Sequence, residues 1–349
     1  MRFVITGEHG FIGRNLARVI QELGHEFVSL TVADNNSNYS SKTMNSINGL
    51  HKNPGEPYVP CVWKNGPYVW EQLFREMNID VVIHNAAMVG TDVVGLNPRQ
   101  ATLSNVMGTH NVVEGAKRAM CAVSFMGTSV IYDTAQFQNR TIYEHNQKRP
   151  TTYYGQLKLV GEDIVKGSGV LWNIIRPLFA YGGDGDMNSL IAKIFFAHLT
   201  DTKRVAMFLD PTKFKDYIFV DDYCRAVVRA AIEGLWGEDF NIAAETPLTV
   251  GHIVNTMSSL VDSDLNDIVD WYPETDYLGN HKMSSEKFRQ ALRRQPVWEP
   301  ELTLNDGLAR VLEDIRKQVE DPEGSSYNPL HHLEKAQDEG VYLPEFFPS

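Results

Sequence analysis

Tyr154 and Lys158 stand four residues apart in the run Tyr154-Gly155-Gln156-Leu157-Lys158, a spacing that puts both on one face of a helix. A free phenol has a pKa of about 10, so it serves as an acid or base near neutrality only where its phenolate is stabilised. An ammonium one turn away provides that stabilisation through space. Taken alone, such a pair is more often chance on a solvated helix face. Tyr153 has no equivalent partner, because Leu157 is the residue four positions on. Upstream, the apolar run Val123–Met126 ends in Gly127-Thr128-Ser129-Val130-Ile131-Tyr132. A hydroxyl at that end of a strand can bond the same substrate oxygen that Tyr154 protonates or deprotonates, although Thr128 and Ser129 by themselves could simply terminate the strand.

A second set of residues is suited to holding phosphates. Thr6-Gly7-Glu8-His9-Gly10-Phe11-Ile12-Gly13 places three glycines between the apolar segment Arg2–Thr6 and the amphipathic segment Arg14–Leu23. Gly7 permits a tight turn, Gly10 lets the backbone approach a pyrophosphate, and Gly13 lets the helix pack close to the sheet. The helix N-terminus offers unpaired N–H groups and partial positive charge to that pyrophosphate. Glycines also mark ordinary turns, but strand, turn and helix at the very start of the chain favour a dinucleotide site. In such sites an acid at the end of the second strand binds the adenosine ribose. Thr31 occupies that place here and Asp34 follows three residues later, so Asp34 is the candidate ribose ligand and NAD is expected over NADP by a narrow margin.

The elements that must position these residues alternate. Glu26–Leu30, Asp80–His84, Val123–Met126 and Leu171–Arg176 read as strands; Tyr68–Met77 and Asn105–Met120 read as helices. That alternation predicts crossover units and a parallel sheet covered on both faces. The second half is less regular, with helices expected over Ser189–Leu199, Asp222–Glu233, Thr249–Val261, Ser284–Leu292 and Leu304–Glu320, and a short strand at Tyr217–Val220. The turn-rich stretch Val32–Gly66 reads as a surface insertion or, less simply, a lid. The tail from Asp321, with four prolines and few apolar repeats, is expected to wrap the surface or lack order.

Composition narrows the function classes. The chain has 349 residues, 43% hydrophobic and 22% charged, as an ordinary globular enzyme does. Its 32 basic and 44 acidic residues give a net charge of −12, which argues against nucleic acid as a partner. No apolar run approaches the roughly 20 residues needed to span a bilayer. The N-terminus lacks a signal-peptide pattern. Three scattered cysteines suggest neither disulfides nor a metal site, so a cytoplasmic location without membrane association is expected.

The motifs taken together resemble the extended short-chain dehydrogenase/reductases, within them the NAD-dependent epimerase/dehydratase group. The resemblance spans about residues 1–315. It rests on Thr6–Gly13, His84-Asn85-Ala86-Ala87, Asn105-Val106-Met107-Gly108-Thr109, Thr128 before Tyr132, Tyr154 and Lys158 followed by Glu162, Arg176-Pro177 with Tyr181-Gly182, Asp216–Asp222 and Phe240–Ala243. It implies an α/β fold: a Rossmann-type doubly wound parallel sheet with a smaller C-terminal substrate-binding α/β domain. The cofactor domain is expected over 1–175, the substrate domain mainly over 176–320 with some return to the first, and a tail over 321–349. The resemblance assigns Thr128, Tyr154 and Lys158 to catalysis. It assigns Gly7, Gly10, Phe11, Ile12, Gly13, Asp34, Ala86, Ala87, Asn105, Tyr154, Lys158 and Pro177 to NAD, or alternatively NADP. Val89, Ser129, Val130, Phe179 and Lys215 fall toward the substrate, with Lys215 where the family often has an arginine near a nucleotide diphosphate. It also implies a homodimer packed through the Asn105 and Tyr154 helices.

Departures from the family select among reactions. Dehydratases of the family carry an acidic pair directly after the catalytic hydroxyl; Ser129 and Val130 stand here, which disfavours loss of water. Gly127–Tyr132 and Ala86–Gly90 are similar to the reductase/3,5-epimerases that make GDP-fucose, but Val130 replaces their cysteine and carries no titratable proton. Hydride removal and return at a sugar hydroxyl needs only Thr128, Tyr154, Lys158 and cofactor. The expected activity is therefore epimerisation of a nucleotide-sugar; the alternatives are reduction of a keto-sugar nucleotide or other carbonyl compound, and a non-catalytic cofactor-binding role. Phe179, where many relatives have asparagine, and Asp210–Phe214, in place of a glycine-containing turn, leave the sugar and the base open.

Overall fold

The computed structural model describes residues 1–30, 61–133, 138, 140–182, 189–200, 204–275 and 279–320. Asp34, most of the 32–66 insertion and the 321–349 tail lie outside the described residues. Strands β1 (Arg2–Thr6), β2 (Glu26–Val28), β3 (Val81–His84), β4 (Ala122–Met126) and β5 (Trp172–Pro177) join the strand Glu238–Ile242 in one six-stranded sheet. Every pairing in it is parallel, and the order runs Glu238–Ile242, β5, β4, β3, β1, β2.

Alternating side chains divide between two cores, as a sheet covered on both faces requires. Phe3, Ile5, Val81 and Ile83 point into one, with the helices Phe11–Glu22 and Val220–Ile232. Val4, Val82, Val123 and Phe125 point into the other, with the helices Pro67–Glu76 and Gly108–Ala119. Successive strands leave β1 in opposite directions, first to β2 and then to β3. The switch point therefore lies between the carboxyl ends of β1 and β3, where sheets of this kind bind ligands.

Beyond β5 the chain forms small two-stranded sheets. Phe179–Tyr181 pairs with Tyr217–Phe219, Phe214–Lys215 with Leu248–Thr249, and Val205–Met207 with Val269–Trp271. Helices Leu190–Leu199, Val250–Val261 and Leu304–Glu320 surround them. Among the described residues, no helix is long and apolar enough to cross a membrane.

Three expectations need correction. The first helix starts at Phe11 rather than Arg14, which makes Gly10 its N-cap and puts Gly13 inside its first turn. The predicted helix Asn105–Met120 is two pieces, a π-helical turn Leu103–Met107 followed by Gly108–Ala119. Strand β2 stops at Val28, two residues short of the predicted end, because Ser29 and Leu30 bond a side chain from elsewhere in the chain.

Candidate active site

The glycine turn leaves β1 at the switch point. Gly7 has φ +74°, and a Cβ there would lie 2.9 Å from the Ala86 Cα, so the turn and the loop after β3 touch backbone to backbone. A Cβ on Gly13 would fall 2.2 Å from the Gly7 carbonyl oxygen and 2.7 Å from the Glu8 Cα. Only glycine lets the helix approach this closely. Gly10 differs: its Cβ would meet nothing nearer than the Gly7 oxygen at 3.4 Å, so a side chain there would fill open space before the helix N-terminus. A cradle open to ligand, closed by glycines and fronting free first-turn N–H groups, fits a pyrophosphate. Phe11 and Ile12 turn their side chains onto the core, which leaves their backbone for that role.

A directed chain of hydrogen bonds fixes the loop after β3. The Ala86 N–H donates to Thr6 Oγ1 (3.1 Å), Thr6 Oγ1 meets His84 Nδ1 (2.7 Å), His84 Nε2 meets Thr109 Oγ1 (3.0 Å), and Thr109 Oγ1 donates to the Asn105 carbonyl (2.7 Å). Because Thr109 spends its proton on Asn105, His84 must donate from Nε2 and accept at Nδ1, as a neutral imidazole. Burial and the nearby Lys158 hold its pKa down to about 3. The Asn105 side chain closes the loop by accepting from the Met88 N–H (2.7 Å) and donating to the Met88 carbonyl (2.8 Å). Ala86 is thereby held against the glycine turn. Val89, just beyond, is exposed.

The helix Tyr153–Gly167 starts at Thr152, whose hydroxyl accepts from the Gly155 N–H at 3.1 Å. It carries Tyr154, whose phenol faces the Thr128 hydroxyl, and Lys158, buried one turn on. Burial drives the phenol up to about 12 while the Thr128 hydroxyl opposes it. Burial brings the Lys158 ammonium down to about 8 while Glu162 opposes that shift. The ammonium lies 4.6 Å above the Phe125 ring. Thr128 also accepts from the Val130 N–H (3.3 Å), capping a single 3-10 turn that holds buried Ser129 and half-buried Val130 beside it. Thr128, Tyr154 and Lys158 thus converge at the carboxyl edge of β4.

Beneath them is a buried ion pair the sequence did not disclose as such. Arg176 on β5 donates from Nε and Nη2 to the two Glu162 oxygens, each at 2.7 Å, and from Nη1 to the Tyr132 hydroxyl (3.0 Å), which donates to Asn241 (2.8 Å). Asp239 also pairs with Arg176. This network anchors the catalytic helix to the sheet from below.

The remaining predicted residues divide. Pro177 ends β5 opposite Ile242. Phe179 and Lys215 come together: the Lys215 ammonium lies 5.8 Å from the Phe179 ring and donates to the Gly279 carbonyl (2.5 Å). His281, which sequence reasoning missed because it follows a segment without periodicity, sets its ring 5.5 Å from Phe179. A cavity of about 440 Å³ opens beside Lys215, Tyr217, Thr246 and Leu248; none of Thr128, Tyr154 and Lys158 lines it.

A doubly wound sheet with a glycine-cradled helix end at its switch point, and a hydroxyl, phenol and ammonium on its carboxyl edge, defines a Rossmann-type protein of the extended short-chain dehydrogenase class. The chain belongs to the NAD dependent epimerase/dehydratase family, whose model matches residues 3–243. It is 23% identical over 337 residues to UDP-glucuronic acid decarboxylase 1 of Arabidopsis thaliana (91% of this chain, 71% of the relative). It is 23% identical over 333 residues to UDP-glucose 4-epimerase of Mycolicibacterium smegmatis (91% and 99%). Its fold matches that of a UDP-glucose 4-epimerase from Thermotoga maritima solved with UDP-glucose, at TM-score 0.73 and 22% identity, over 91% of this chain and 100% of that one.

Proposed function

We propose that the chain is an NAD(P)-dependent epimerase that inverts a hydroxyl-bearing carbon of a nucleotide-sugar. The observation that carries this reading is the convergence of the Thr128 hydroxyl, the Tyr154 phenol and the buried Lys158 ammonium, with no acid or thiol at the two positions after Thr128. Relatives that act on UDP-sugars support the substrate class. A bound nicotinamide supplies hydride acceptance and return at the carbon. The protein's own groups manage the proton: Tyr154 takes it from the sugar hydroxyl as the carbonyl forms and gives it back after the sugar face is reversed. Thr128 orients that oxygen, and the Lys158 charge stabilises the phenolate. Gly7, Gly10, Gly13, Ala86, Ala87, Asn105 and Pro177 are assigned to the cofactor, and Ser129, Val130, Phe179 and Lys215 to the substrate. Residues 1–175 form the cofactor part, and two copies pack through the helices Gly108–Ala119 and Tyr153–Gly167.

Tyr154→Phe is expected to lower turnover at least about 100-fold, the scale of general acid–base catalysis, with cofactor affinity little changed. NMR of a panel of UDP- and dTDP-sugars checks this; equal turnover in the two proteins sinks the catalytic assignment. Stoichiometric consumption of reduced cofactor would instead support the reductase reading. A monomeric mass in solution scattering overturns the proposed dimer.

A further inference from the structure

The turn that carries the glycines also carries a carboxylate with no part in the chemistry above. Glu8 follows Gly7 and is nearly buried. Its Oε1 accepts from the Ser29 hydroxyl at 2.6 Å and its Oε2 from the Leu30 N–H at 2.9 Å. Ser29 and Leu30 are the first residues past β2. In a Rossmann sheet that is the place where an acid favours the adenosine ribose of NAD and where its absence admits a 2′-phosphate. The chain's own sequence there, Val28-Ser29-Leu30-Thr31, has no acid. The fold delivers one from the turn after β1.

We infer that Glu8 is the specificity-determining residue for the cofactor: its carboxylate, fixed at the end of β2 by the glycine turn, discriminates against a 2′-phosphate and selects NAD over NADP. Two arguments support this. First, the bonds to Ser29 and Leu30 hold both oxygens at that strand end, so the charge cannot swing away from an incoming phosphate. Secondly, a phosphate dianion brought toward a desolvated carboxylate is repelled far more than in water, so the rejection needs no direct contact. Among the described residues the His9 ring also lies nearby, largely exposed, with its Nε2 3.5 Å from Oε1.

The inference rests on the cofactor part of the proposed function and not on the sugar chemistry, so its test uses neither substrate nor turnover. Calorimetric titration of the cofactor-free protein compares AMP with adenosine 2′,5′-bisphosphate, and fluorescence titration compares NADH with NADPH. The wild type is expected to bind the ligand lacking the 2′-phosphate at least about 10-fold more tightly, the effect of roughly one close like-charge pair. Glu8→Gln keeps an acceptor for Leu30 and removes the charge. It is expected to close most of that gap through gained affinity for the 2′-phosphate ligand, with the unfolding midpoint nearly unchanged. Equal wild-type affinities overturn the inference, and that comparison holds even if the variant does not fold. So does a Glu8→Gln protein in which both ligands shift together, which marks a purely structural role. An Asp34→Asn protein that closes the gap while Glu8→Gln leaves it intact also overturns it.

Discussion

Lys158 is where function and stability pull in opposite directions. Its folded pKa is about 8 against the usual 10.5, because burial penalises the ammonium. Between those values the unfolded chain binds more protons than the native one, so the group's penalty is complete below pH 8 and is relieved as pH rises toward 10.5. Lys158→Met is therefore expected to raise native stability at pH 7 by about 1–3 kcal/mol, within the ceiling set by the shift. It should also abolish the stability gain between pH 8 and 10.5 and reduce turnover at least about 100-fold. Denaturant melts at pH 7, 8.5 and 10 read the first two effects. An unchanged slope above pH 8 would show that Lys158 does not carry the buried charge. The i, i+4 spacing of Tyr154 and Lys158 and the strand end at Thr128 were legible in sequence, but only the family resemblance gave them roles. Glu8 was not legible, since its bonds to Ser29 and Leu30 cross about twenty residues and follow no period.

The catalytic helix depends on what lies beneath it. Glu162 and Arg176 are both fully buried and form a two-pronged pair, and Asp239 and Tyr132 take the remaining guanidinium donors. Removing Glu162 leaves Arg176 with Asp239 as its remaining carboxylate, so Glu162→Gln is expected to cost about 3 kcal/mol, the low end for a broken buried pair. The double variant Glu162→Gln/Arg176→Met, with no stranded charge, should recover a large share. Urea unfolding of the three proteins measures the coupling, and strictly additive losses would dissolve the pair as an energetic unit. Most helices and five of the six strands of the main sheet were readable because their apolar periods are local; Glu238–Ile242 was not. The π-helical turn at Leu103–Met107 was hidden, because Asn105 is drawn out of register by two bonds to Met88, a contact across 17 residues. Some short strands such as Phe214–Lys215 were equally hidden, being too short for a period-2 pattern to register, although Glu26–Val28 and Tyr217–Phe219 were read as strands.

Buried titratable groups contribute in opposite directions to how the whole molecule responds to acid. His84 and His281 sit in different parts of the chain, both with pKa values pulled down to about 3 by burial and by the lysine beside each, Lys158 and Lys215. Each is neutral when native and takes up a proton on unfolding below its usual 6.5, so each contributes stability that is lost as pH falls from 6.5 toward 3. Asp216 works the other way. Burial lifts it to about 7 against the usual 3.8, although it accepts bonds from the Glu245 and Thr246 N–H groups. Between pH 3.8 and 7 the native state holds the Asp216 proton that the unfolded chain releases, so acid favours the native form there. Glu144, also raised by burial, adds to that opposing effect. From His84, His281 and Asp216 alone, unfolding takes up about one net proton between pH 6 and 4.5, or about 1.4 kcal/mol per pH unit. Asp216→Asn removes the opposing site and keeps an acceptor for the loop amides. It is expected to steepen the loss by about 1.4 kcal/mol per pH unit, while a His84→Gln protein flattens it by a similar amount. Unfolding free energies at pH 7, 6, 5.5 and 4.5 for the three proteins decide it. If Asp216→Asn leaves the slope where it was, Asp216 is ionised in the native protein and its backbone bonds outweigh its burial.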